Sequence, residues 1–248
     1  MDMYRSIYLP NDDRPEQPFF RPSNRQRQIF KWMLIAALSL MVFLHAILLG
    51  LRWLPPPTSA FMLQSEVPGS AMHYQWVPWG HISPHLPVAV MASEDQKFPH
   101  HWGFDFDAIS KAVDENKWRR RPRGASTITQ QVSKNLFLWS GRSYLRKGLE
   151  AYLTVVLELI WPKRRIIEVY LNIAQFGPGI YGVEAASRSY FYKSASQLSK
   201  REAALLAAVL PNPHKLKAAN PSDYVRQRAR EIEAQMEQLG GTGYLKDM

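Results

Sequence analysis

The sequence predicts an all-α domain preceded by one N-terminal transmembrane helix, and three observations carry that expectation. Residues 32–51 form a run of twenty without a formal charge. Beyond Pro87 the apolar residues recur at helical spacing, and strand-like alternation is scarce. The composition agrees: 248 residues, 46% apolar, 12% aromatic and 21% charged, can bury one large or two small cores and exclude a chain disordered throughout. Cysteine is absent, which excludes a disulfide framework, a thiolate metal site and a cysteine nucleophile. Lys and Arg number 31 against 21 Asp and Glu, and the formal charge of +10 selects an anionic partner: nucleic acid, phospholipid headgroups or a phosphorylated substrate.

Residues 1–28, rich in Pro, Asn, Asp and Arg, read as a cytoplasmic tail with no core of its own. The run WMLIAALSLMVFLHAILLGL then sets the transmembrane helix at 29–52, because twenty helical residues span about 30 Å, the thickness of the hydrocarbon layer. Arg21, Arg25, Arg27 and Lys31 precede it, whereas after Arg52 no Lys or Arg follows until Lys97. That asymmetry places the N-terminal side in the cytoplasm and the rest outside it; the localisation expected is a single-pass protein of the cytoplasmic (inner) membrane with its domain on the periplasmic side. A cleaved signal peptide fits less well, since the apolar run is long, a polar leader precedes it and no A-x-A pattern follows. Pro55, Pro56 and Pro57 end the span. Residues 53–86 read as a linker and membrane-proximal segment, where Trp53, Trp76 and Trp79 suit either a membrane interface or a core.

The domain proper runs over 87–248. Phe106, Ile109, Ala112 and Val113 make one helical face within 105–118, with Asp105 as N-cap. Ser126 or Thr127 caps a second helix reaching Leu138, its face formed by Ile128, Val132 and Leu136. Residues 145–161 are apolar nearly all round, which predicts a buried helix, stopped by Pro162. Further helices are expected over 163–174, 183–192, 199–210 and 222–239, with at most a small hairpin and no internal repeat.

Three clusters carry candidate chemistry. Glu94 follows the apolar Val88-Ala89-Val90-Met91-Ala92 and enters a loop punctuated by Pro99 and Gly103. A carboxyl in such surroundings has its pKa raised, which suits general acid–base work, although a solvated acidic turn has the same composition. His100 and His101 are adjacent, so their rings cannot share one side of a regular element, and a supporting or core histidine fits better than a metal pair. The second cluster is the basic run 117–123 leading into Gly124-Ala125-Ser126-Thr127-Ile128-Thr129-Gln130-Gln131, with Lys134 and Asn135 beyond. Gln130 and Lys134, four apart, share a helical face and can approach one ligand, and helix N-terminal amides after a glycine favour anions. The bland alternative is a polar amphipathic helix behind a solvated basic loop. The third cluster is Arg142, Arg146, Lys147 and Glu150, whose spacings let one helical face hold cations beside a carboxylate, as ordinary surface ion pairs also do. Glu150 leads into an apolar helix, where an unpaired carboxylate is costly.

Together these residues resemble the family 51 glycosyltransferases, the peptidoglycan polymerases that occur as stand-alone membrane enzymes or fused to penicillin-binding transpeptidases. Glu94-Asp95-x-x-Phe98-x-x-His101-x-Gly103 is similar to the family's first motif, and Gly124-x-Ser126-Thr127-Ile128-Thr129-Gln130-Gln131-x-x-Lys134-Asn135 to its second. Arg146-Lys147-x-x-Glu150 resembles the third, and Lys163-x-x-Ile166-Ile167-x-x-Tyr170-Leu171-Asn172 the fourth, with Ile167 where Leu is commoner. The resemblance implies a lysozyme-like α fold with a smaller membrane-proximal jaw lobe, and inverting polymerisation of lipid II with release of undecaprenyl diphosphate. It implies catalytic roles for Glu94, as the base on the acceptor sugar's 4-hydroxyl, and for Glu150, which orients cations or a metal near the diphosphate. Ser126, Gln130, Gln131, Lys134, Asn135, Arg142, Arg146 and Lys147 would bind substrate, with a divalent cation such as Mg²⁺ near Glu150 assisting, and no organic cofactor. Tyr170 and Asn172 would support the site. The implied partners are lipid II, the growing glycan chain on undecaprenyl diphosphate, membrane lipid and other cell-wall synthesis proteins, with no nucleic acid.

Gly177-Pro178-Gly179-Ile180-Tyr181-Gly182 matches G-x-G-x-x-G, but Ile166, Ile167, Tyr170, Leu171 and Ala174 before it have helical spacing, so a turn between helices is expected instead of a dinucleotide site. Neither S-x-x-K nor K-T-G occurs, so the transpeptidase signature is lacking and a monofunctional polymerase is expected. Two alternatives stay open at this level: a lytic transglycosylase or lysozyme, which cuts glycan and has less need of the cations, and a non-catalytic membrane-tethered scaffold.

Overall fold

The computed structural model describes residues 23–65, 72–118, 124–141 and 143–248. The chain divides into two units, 1–46 and 47–248. Helix α1, Asn24–Gly50, supplies the described part of the first unit. Its most apolar stretch has a mean hydropathy of 2.4 and is 6% buried, so its length and composition qualify it to cross a membrane. The expected tail and basic run 119–123 lie largely or wholly outside the described residues.

The second unit is built around α3, His85–Glu94, in which Leu86 through Ala92 are all buried. Pro87 sits in its first turn, where a missing N–H leaves no helical bond unmade. α3 packs on α9, Lys200–Val209, and α10, Asp223–Gln238. The small side chains Ala203, Ala204, Ala207 and Ala208 of α9 are buried and allow close approach. A second layer sets α5, Ile128–Phe137, against α6, Tyr144–Ile160, and α7, Lys163–Ile173. α4, Phe106–Asn116, has no fully buried residue and forms the smaller lobe across a cleft from α3 and α10; Asp105 caps it by accepting from the Ala108 amide at 2.9 Å.

Segment 53–86 contributes to this unit. It contains the single turn α2, Ala60–Leu63, and the short strand β1, His73–Tyr74, and it buries Met62, Val77 and Ile82 in the core. Trp76 and Trp79 pack on the core, beneath the guanidinium groups of Arg165 and Arg164, whereas Trp53 is exposed. Asn172 ties the segment to α7: its side chain accepts from the Val77 amide at 2.8 Å and donates to the Val77 carbonyl at 2.9 Å. The nearly buried Arg165 donates to the carbonyls of Leu51 and Leu54, so the chain leaving α1 is held at the α6–α7 corner.

Three expectations need correction. The hairpin is one strand larger: β2, Gln175–Gly177, and β3, Ile180–Tyr181, are antiparallel, and β1 adds in parallel to β3, giving the order β1-β3-β2. The turn in G-x-G-x-x-G therefore joins two strands, between α7 and α8, Val183–Phe191. Gly182 has φ 81° and a Cβ there would lie 2.5 Å from the Asn172 carbonyl oxygen, so the glycine serves close packing. Finally, α6 is not buried all round. Leu145, Leu149, Tyr152, Val155 and Leu159 face outward, while Glu150, Thr154, Leu157 and Glu158 face α5. The inward stripe is the more polar one, because Thr154 and Glu158 find partners on α5 and α7 and Glu150 finds them on α6 itself.

Candidate active site

Glu94 is the last residue of α3, and the loop after it is held from several sides. The buried Asp95 carboxylate accepts from the Ile128 amide at 3.0 Å and from His101 Nε2 at 2.9 Å, so it ties the loop to the N-terminus of α5. A carboxylate at a helix N-terminus is also favoured by the helix dipole. Phe98 is fully buried, and Lys163 donates to the His101 carbonyl while its ammonium lies over the Phe98 ring at 4.6 Å. Gly103 ends the loop with φ 79°; a Cβ there would lie 2.5 Å from Thr154 Cγ2. Its carbonyl accepts from the Thr127 hydroxyl at 2.6 Å.

Thr127, not Ser126, caps α5, and Gln130 completes a capping box by accepting from the Thr127 amide at 3.0 Å. Gln130 is thereby spent on the helix start, whereas the next residue reaches the site: Gln131 Nε2 donates to Glu94 Oε2 at 2.8 Å. The buried Tyr170 hydroxyl donates to Gln131 Oε1 at 3.2 Å, which fixes which end of the amide faces the carboxylate. Burial pushes the Glu94 carboxyl above its ordinary range, against the Gln131 hydrogen bond and the charges of Arg228 and Lys134, with Asp95 adding to the rise. Tyr170 is pushed well above the ordinary tyrosine value, mainly by burial and then by Glu94 and Asp95.

One and two turns along α5 and α6 the character changes. Lys134 lies between Glu94 and the third cluster: burial pushes its ammonium pKa down, the Glu150 charge pulls it up, and Arg146 and Lys147 push it down again. Its Nζ also sits 5.4 Å from the Phe61 ring centroid. Glu150 is 3% exposed and receives Arg146 Nη1 at 2.6 Å on one oxygen and Lys147 on the other. Half of Lys147 remains exposed, so its charge is available to a ligand. Asn135 Oδ1 and Arg146 Nε are buried without a partner among the described residues. Arg142 lies outside the described residues.

A cleft of about 470 Å³ opens beside Glu94, lined by Glu94, Gln96, Lys111 and Ser126 and, from α10, Arg228 and Gln235. Ser126 is thus at the cleft although it caps nothing. Arg228 had no signal in the sequence: it is one of several arginines on α10, and only the packing of α10 on α3 brings it to the cleft with Glu94.

The cleft has Glu94 at one wall; Glu94 is in hydrogen-bond contact with Gln131, and Lys134 interacts electrostatically both with Glu94 and with Arg146, Lys147 and Glu150. Residues 62–237 match the sequence model of the family described as Transglycosylase. The chain belongs to the transglycosylase family. It is 52% identical over 225 residues, 88% of this chain and 94% of the relative, to a biosynthetic peptidoglycan transglycosylase of Pseudomonas fluorescens. A protein of the same name from Pectobacterium atrosepticum is 54% identical over 220 residues, 84% of this chain and 90% of the relative. One from Xanthomonas campestris is 48% identical over 234 residues, 91% of this chain and 95% of the relative. The transglycosylase match covers every helix that lines the cleft, from α3 to all but the last residue of α10.

A divalent cation near Glu150 does not fit the residues there. Both carboxylate oxygens are taken by cations, and among the described residues no three His, Asp or Glu side chains converge.

Proposed function

We propose that the chain is a peptidoglycan glycosyltransferase that polymerises lipid II, with Glu94 as general base. The observation that carries this is a largely buried carboxylate that touches no cation among the described residues, held by an amide at the wall of a cleft and followed by the cations Lys134, Arg146 and Lys147. In the reaction, Glu94 takes the proton of the acceptor 4-hydroxyl as that oxygen attacks the anomeric carbon of the donor. The C1–oxygen bond to the diphosphate breaks with inversion, and the electron pair leaves on undecaprenyl diphosphate. The leaving group is already a stabilised anion, so cations serve it better than a proton donor. Lys134, Arg146 and Lys147 supply them, the sequence adds Arg142 as a further cation, and Glu150 holds Arg146 and Lys147 in place. Ser126, Gln131 and Asn135 offer neutral polar contacts to the sugar and diphosphate.

The substrate's lipid calls for a membrane. α1 supports an anchor, with its basic flank on the cytoplasmic side and 47–248 outside the inner membrane. The outward stripe of α6, Leu145 to Leu159 in steps of three or four, supports a lipid-facing surface on the same unit. The test is incubation of the detergent-solubilised full chain with lipid II, and separately with purified sacculi. Glycan polymer from lipid II supports the reading; cleavage of sacculi without polymer, or binding of lipid II without turnover, sinks it.

A further inference from the structure

The family match ends at residue 237, yet the chain continues into a 3₁₀ segment, Gly241–Asp247, that returns to the loop after Glu94. Gly240 and Gly241, with φ of 93° and 60°, reverse its direction out of α10. Tyr244 then reaches the loop. Its hydroxyl donates to the Gln96 carbonyl at 2.6 Å, and its ring meets the His100 ring edge-on at 6.0 Å. Asp247 lies 3.9 Å from His100 Nε2, and Tyr244, Leu245 and Met248 pack on the core. Other contacts hold this loop at Asp95, Lys97, Phe98, the His101 carbonyl and the Gly103 carbonyl, and the Gln96 side chain bonds back to the Ala92 carbonyl; among the described residues, the Gln96 carbonyl is held by Tyr244.

We propose that Tyr244 is a positioning residue for the transfer step: by fixing the Gln96 carbonyl it sets how the C-terminal end of α3 presents the Glu94 carboxylate to the cleft. Glu94 sits at a helix end, where the next peptides have no i+4 partner and a local tether decides their direction. The inference rests on Glu94 acting as the base. It assigns work to a segment outside the family match, and the position is one hydroxyl, so it can be removed without touching the cleft.

The experiment measures lipid II polymerisation across pH by the full chain as wild type, Y244F and Y244A. One hydrogen bond corresponds to a factor of roughly five. We expect kcat to fall about five-fold in Y244F and about ten-fold in Y244A, with KM and the melting temperature unchanged in Y244F. The acid limb of kcat should move to lower pH, because a loosened loop admits water to Glu94. Among the described residues, the other groups that face Glu94 or its cleft are Asp95 on the loop, Lys111 and Glu115 on α4, Gln131 and Lys134 on α5, Tyr170 on α7 and Arg228 on α10, and they are the same in all three proteins. Wild-type kcat and pH profile in Y244F overturn the proposal, and so does a reduced kcat with an unmoved acid limb, which is the mark of a smaller folded fraction. An inactive wild type overturns the polymerase reading and this inference with it.

Discussion

Glu94 and Glu150 are two carboxylates withdrawn from water in one helical unit, and their company is opposite. Glu150 lies on the inward face of α6 with a cation on each oxygen. Glu94 ends α3 with an amide from Gln131 as its hydrogen-bond partner, and its cationic neighbours act through space. Burial with paired charges fixes an arrangement; burial without them leaves a proton acceptor whose ionised form is strained. The same residue type thus serves as scaffold in one place and as candidate base in the other.

The sharpest way to break this contrast is Glu94→Gln. It keeps the shape and the cleft but has no basic oxygen, so kcat for polymerisation should drop by about 10³-fold while lipid II still binds. Turnover near wild type would end the assignment. Next comes Lys134→Ala, which removes the cation between the two carboxylates; we expect a loss of about 10²-fold in kcat, read in single-turnover release of undecaprenyl diphosphate. Glu150→Ala should cost less activity, about ten-fold, because the cations remain but are no longer aimed. It should also cost roughly 1–2 kcal/mol in chemical denaturation, since Arg146 stays withdrawn from water while Lys147 can turn outward. The smallest effect is on stability at Glu94. Its folded pKa lies above its unfolded one, so the unfolded chain ionises first as pH rises, and the carboxyl increasingly opposes folding from about pH 4.3 upward until it ionises in the folded state too. Glu94→Gln should therefore raise the melting temperature at pH 8, and the gain should vanish at pH 4.

Much of this was legible in the chain. The uncharged run 32–51, the cap at Asp105 and the stop at Pro162 are local signals, and local backbone chemistry acts the same way in any fold. The spacing of Arg146, Lys147 and Glu150 was legible for the same reason: three and four residues along one helix fix proximity without tertiary help. Helix spacing misled at Gln130, because a side chain at the third helical position can turn back to the cap, and it then left Gln131 to face Glu94. It misled again at α6, where apolar content said buried but the partners of Glu150, Thr154 and Glu158 drew the polar stripe inward and left the leucines outside.

By itself, then, the sequence determined where the helices start and stop, which of them qualifies to span a membrane, and which residues within one helix act together. Only the tertiary structure decided that Arg228, more than a hundred residues away, faces Glu94, that Tyr170 orients Gln131, and that Tyr244 returns to the Gln96 carbonyl. The physical reason is range: capping and i,i+4 contacts are settled within a turn or two of helix, whereas the surroundings that raise a carboxyl's pKa are assembled from α3, α5, α7 and α10, whose meeting depends on how the whole core packs.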